Sequence, residues 1–170
     1  MRIGSICVIA LVGCQHPALI QANPPLDCNA LFSSAARGWQ DPADSLLLSS
    51  RVGFWRLTLS RPTANTQVSG LATLWTGYSQ HPRELIGSHG VSLRSLGFHP
   101  SEHDGSLQLW QIRGDTVGMH IGSPLQGQGV GLYAVGAGTS SLTGCWFQMG
   151  PDSTKVKGFF RLDPDDGPAT

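Results

Sequence analysis

At 170 residues the chain is long enough for one domain with its own core, and 40% hydrophobic against 13% charged residues exclude a disordered polyelectrolyte. The formal net charge is zero and the arginines are scattered, so the basic surplus that nucleic acid or an anionic membrane surface requires is missing. Glycine at 22 and proline at 11 exceed what helix interiors tolerate and point to an all-β chain with many turns.

The chain opens with Met1-Arg2 and an apolar run from Ile3 to Val12. That run has the length of a signal-peptide core and falls short of the roughly 20 residues that span a bilayer. It ends in Leu11-Val12-Gly13-Cys14, which resembles the lipobox of bacterial lipoproteins. The resemblance implies a signal peptide over 1–13, lipidation of Cys14 as the new N-terminus, and attachment to a membrane through acyl chains alone. Gln15 in the following position implies an outer-membrane lipoprotein of the bacterial envelope, facing the periplasm or the surface. The alternative is an ordinary secretory signal cleaved near Ala22, which makes the protein secreted. Cys7 leaves with the leader in either case. Cys28 and Cys145 then remain as an even pair in an oxidising compartment, and a disulfide between them is expected, with two buried free thiols as the alternative.

Residues 14–50 read as a tether and a short helical segment. His16–Pro25 is polar and proline-bearing, and Leu26–Ala36 suits a short helix with Asp27 as N-cap and Gly38 as stop. Gln40–Ser50 is a loop or helical turn whose Leu46-Leu47-Leu48 offers a patch to pack on the body.

From 51 to 163 the pattern changes to short runs of period two. Val52–Ser60 places Gly53, Trp55, Leu57 and Leu59 on one side, and Gly158-Phe159-Phe160-Arg161-Leu162 repeats its motif near the end. A third Gly-x-Trp stands at Gly144-Cys145-Trp146. Between them the expected strands are Thr66–Thr76, Val91–Phe98, Ser106–Arg113, Thr116–Ile121, Gly129–Val135 and Ser140–Met149. Gly77–Gly90 reads as a long connection with one helical turn near Glu84, and Gly114-Asp115 as a tight hairpin. Residues 164–170 form an acidic, solvated tail. Eight strands without helical crossovers predict an up-and-down antiparallel barrel, which removes both sheet edges. A β-sandwich is the structural alternative.

A Gly-x-Trp on the first of eight meandering strands, with an arginine on the last, is similar to the lipocalin-like (calycin) group. The resemblance implies that Gly53 and Trp55 close one barrel end, with Arg161 stacked across the indole. A barrel of this size is either filled by side chains or holds one small ligand. Trp75, Trp110, Met119, Tyr133 and Trp146 are the candidate lining of a site for a small apolar molecule, with Leu109 and Phe147 as companions.

Catalytic signals are weak. No Gly-x-Ser-x-Gly elbow occurs, and Gly127-x-Gly129-x-Gly131 precedes no helix that would meet a phosphate. His99-x3-His103-Asp104 lies in a turn rather than on one helix face. The up-and-down order places His81 and His89 at one mouth and His99 and His103 at the other, so no metal or other cofactor is expected. The sequence therefore predicts a non-catalytic, membrane-tethered barrel that binds a small apolar ligand. A filled barrel acting as a structural or protein-interaction module is the first alternative, and an enzyme the second.

Overall fold

In the computed structural model of the protein the described residues are 26–37, 51–76, 84–97, 105–113, 116–123, 128–136, 139–149 and 156–168. Leu11, Gly13, Cys14 and the Leu46–Leu48 patch lie outside them.

Alternation of apolar and polar residues decides which side of each strand faces inward. The strands are β1 (Gly53–Arg61), β2 (Thr66–Thr76), β3 (Glu84–His89), β4 (Ser106–Arg113), β5 (Thr116–Ser123), β6 (Gln128–Val135), β7 (Leu142–Met149) and β8 (Val156–Pro164). Each pairs antiparallel with the next, and β8 pairs with β1, so the sheet closes as an up-and-down barrel in chain order. This closure rules out the sandwich. The two repeated motifs meet at the seam, with Leu57 opposite Leu162 and Thr58 opposite Arg161.

One strand lies elsewhere than the sequence suggests. The third strand is Glu84–His89, where a helical turn was expected, while Leu93–Leu96 within the expected strand Val91–Phe98 is a 3-10 turn. Val91, Leu93 and Leu96 are all buried against the barrel core. Their apolar spacing therefore reports a plug rather than a strand, and Gly97 at φ +85° ends the turn. β8 also runs on through Pro164, and the residue after it is docked rather than solvated. The Asp165 amide donates to Phe54 O, and its carboxylate accepts from Arg56. That arginine contact holds the Asp165 carboxyl below its usual range.

The expected helix forms as α1 (Cys28–Arg37), on the outside of the barrel against β5, β6 and β7. Asp27 caps it, its Oδ1 accepting from the amides of Asn29 and Ala30 at 3.1 and 3.0 Å. Cys28 is joined to Cys145 on β7 by a disulfide, with 5.7 Å between their Cα atoms. No helix among the described residues is long and apolar enough to cross a membrane.

Candidate functional site

The barrel interior is the first place to look for a site, because every inward-facing set converges there. Leu57, Leu59, Leu107, Leu109, Met119, Ile121, Leu132, Trp146, Phe160 and Leu162 belong to one continuous cluster, all at 1% exposure or less. The bulk is placed by a reciprocal arrangement of β7 and β8. Gly144 stands opposite Phe160, and Trp146 opposite Gly158. A Cβ on Gly144 would lie 2.5 Å from the Phe160 ring, and one on Gly158 would lie 2.7 Å from the Trp146 Nε1. Each aromatic therefore packs into the space that the glycine facing it leaves open. This lets the Trp146 Nε1 reach over to β1 and donate to Ser60 O at 2.8 Å. A buried indole N–H needs such a partner, and the backbone supplies it.

Both barrel ends are closed by side chains. At the end where β1 begins, Trp55 is buried and donates its Nε1 to Arg51 O at 2.7 Å. The Arg51 guanidinium sits 5.3 Å from the Trp55 ring centroid and is itself only 3% exposed. It crosses to the β6–β7 connection, donating to Ser140 O at 3.0 Å, Gly136 O at 3.3 Å and Thr139 O. The arginine over Trp55 is therefore Arg51. Arg161, expected there, is about half exposed on the outer face and pairs with Asp163 at 2.8 Å. The reason is register: Arg161 is adjacent to inward Phe160 and Leu162, so its own side chain points out. At the opposite end Leu93 and Leu96 plug the barrel, and Arg61 donates to Leu96 O at 2.8 Å.

The five candidate ligand residues do not share one surface. Met119 and Trp146 are inside, both fully buried. Trp75 points outward and is 40% exposed, because inward Leu74 is its neighbour. Tyr133 is also on the outer face, beneath α1, with its ring centroid 5.9 Å from that of Phe32 and 5.6 Å from that of Phe147. Burial raises the Tyr133 pKa. Trp110 lies in β4, paired with Glu84 on β3 and Gly118 on β5. Gly53 adopts φ +138°, a conformation that favours glycine at the entry to β1.

Polar groups among the described residues do not converge either. Among the described residues the buried polar or charged ones are Arg51, Ser60, Thr116 and His120, and no group of three metal-ligating side chains occurs. His89 ends β3 at the side leading into residues 90–105, the connection that carries His99 and His103. Its expected placement at the other mouth, with His81, is thus corrected, because β3 begins seven residues earlier than the expected third strand. His81, His99 and His103 lie outside the described residues.

His120 is the residue that sequence reasoning missed outside the barrel. It is 3% exposed on the outer face of β5, with its ring over Gly129, and neither ring nitrogen meets a partner in hydrogen-bond geometry. Burial holds its pKa below the ordinary histidine range, opposed in part by the nearby Gly122 backbone. Its neutral form is the folded one, so stability is complete above the unfolded pKa of about 6.5 and falls as the pH drops through and below it. Unfolding free energies from denaturant titrations between pH 8 and pH 5 should be level at first and then, below about 6.5, decline by up to about 1.4 kcal/mol per pH unit from this group, and a His120→Gln variant should flatten that slope. The signal available in the sequence was Gly129-x-Gly131 beside a strand that contains His120, since missing side chains on one strand make room for a ring on the next.

No protein-family model matches the chain, and no curated protein matches it. Among solved structures, a redesigned β barrel is similar over 72% of this chain and 95% of its own, at 16% identity and a TM-score of 0.47.

Proposed function

We propose that the protein is a non-catalytic lipoprotein of the bacterial envelope, tethered through Cys14, whose lipocalin-like barrel is a structural or protein-interaction module. The observation that carries this reading is the fully buried state of Met119 and Trp146 within one continuous apolar cluster. Side chains occupy the space a ligand would need, and Arg51 with Trp55 at one end and Leu93 with Leu96 at the other obstruct entry. The outer surface adds to it. Val52, Phe54 and Trp75, near the same end of neighbouring strands, are 40–48% exposed, as a module that works through its outside requires. Among the described residues the dispersed polar groups favour binding over catalysis, because acid–base or nucleophilic chemistry needs them to converge.

Native mass spectrometry of protein gently extracted from its own membrane tests this reading. The expected spectrum shows acyl mass on Cys14 and no small molecule retained in stoichiometric amount. A retained apolar molecule would favour the ligand-carrier reading, and an unmodified N-terminus cleaved near Ala22 would favour secretion.

A further inference from the structure

The described residues form two separate apolar clusters, and the second lies outside the sheet. Leu31, Cys145 and Phe147 form its buried centre, with Leu26, Cys28, Phe32, Tyr133 and Phe159 packed around them. Its floor belongs to β6, β7 and β8, while its cover is α1 and the residues just before it. Phe32 meets Phe147 at 4.9 Å between ring centroids. A helix of ten residues is too short to persist alone in water, so α1 needs this face in order to be a helix. The face in turn needs a cover, because Phe147 and Cys145 would otherwise be apolar surface on the outside of a barrel whose interior is complete without them.

We propose that the outer face of β6–β8 is a receptor for a short amphipathic helix, that α1 is its resident occupant, and that the Cys28–Cys145 disulfide locks it in place. A dithiol reductant releases the lock. Its thiolate attacks the Cys28 sulfur, which is the less buried of the two, and Cys145 leaves as a thiolate. The second thiol of the reductant then displaces Cys28, giving two protein thiols and one oxidised reductant. The cleared face takes a helix with the apolar spacing of α1, a Leu-Phe pair three residues after the position of Cys28. This deepens the reading of the barrel as an interaction module and rests on it. A ligand inside the barrel would register as added mass in the native spectrum, whereas the present proposal is read at Cys145.

The test uses the full-length chain with Cys28→Ser. Cys145, fully buried under α1 in the oxidised protein, should alkylate with a maleimide at a rate within about tenfold of the unfolded chain, while aromatic circular dichroism of the buried tryptophans persists. In a thiol–disulfide exchange buffer, a synthetic 26–37 peptide should couple to Cys145 at least tenfold more favourably than the same peptide with Leu31 and Phe32 replaced by serine. In the wild-type protein after reduction by the dithiol, amides of α1 should exchange hydrogen at least 100-fold faster than those of β1 and β8, a readout that does not depend on the variant folding. Continued protection of Cys145 would overturn the proposal, since α1 would then stay without its lock. Equal coupling of the two peptides would overturn it too, as would loss of the aromatic signal in the variant or co-exchange of α1 with the barrel.

Discussion

Replacing Trp146 with alanine should cost about 3–5 kcal/mol of folding stability, read as a shift in denaturant midpoint at unchanged slope. The side chain is fully buried in the centre of the core, so its removal leaves a void that neighbours on three strands fill only in part. It also removes the donor to Ser60 O, and a carbonyl on the β1 side of the seam then loses a partner. The facing glycine provides a second probe of the same device. Gly158→Ala places a methyl 1.8 Å from Ser60 O and 2.7 Å from the indole nitrogen, so either the β1–β8 seam or the ring must move. Overpacking of that kind costs about 1–3 kcal/mol. The clash with backbone remains when the indole is gone, so the double variant should recover only part of that cost.

The second large effect belongs to Arg51. Arg51→Met keeps the apolar stem and removes the donors, leaving the carbonyls of Ser140, Gly136 and Thr139 short of hydrogen bonds at a buried barrel end. Hydrogen bonds to a charged donor are worth about 1.5–3 kcal/mol, and Thr139 Oγ1 still donates to Gly136 O, so a loss of about 2–4 kcal/mol is expected. Arg51→Lys should recover less than half of it, because an ammonium cannot span three carbonyls as a planar fork does. Arg161→Ala should change stability by about 0.5 kcal/mol or less, since its pairing with Asp163 is an exposed one. Thermal and urea unfolding of the four proteins separates the two arginines.

The fold was legible because period two survives in seven of the eight strands and because the repeated Gly-Phe-Aromatic-Arg-Leu motif marks both sides of the seam. β3 was not. Glu84-Leu85-Ile86-Gly87-Ser88-His89 has one residue in the main core, Leu85, so its alternation is too short to outweigh the clearer apolar spacing of Val91, Leu93 and Leu96. Position 87 holds a glycine because a Cβ there would collide with the backbone of Thr73 on β2, a contact that no local pattern encodes. The pairing of Cys28 with Cys145 was legible on the expectation that Cys7 and Cys14 belong to a leader and a lipid anchor, and the structure joins the same pair.

The candidate site was less legible for a related reason. Residue type alone groups the large side chains together, whereas parity decides which way they point: Trp146 and Met119 inward, Trp75 and Tyr133 outward. The arginine over Trp55 was sought on the last strand by resemblance, yet it precedes the first. Arg51 is set two residues before Gly53, outside the alternating run, and only the fold brings it to the carbonyls near residue 140. The burial of His120 was not legible because what buries it comes from other strands as much as from its own.

Xenon titration followed on the Met119 methyl group tests most directly whether the barrel is filled. The chain has three methionines, so selective methyl labelling and a Met119→Leu variant assign the resonance. Xenon enters dry apolar cavities and moves the shifts of methyl groups that line them. The account predicts no saturable shift at Met119 in the wild-type protein and the appearance of one in Trp146→Ala. A saturable shift in the wild-type protein would mean that the barrel holds a cavity, and it would contradict the reading of this protein as a module that acts through its outer surface.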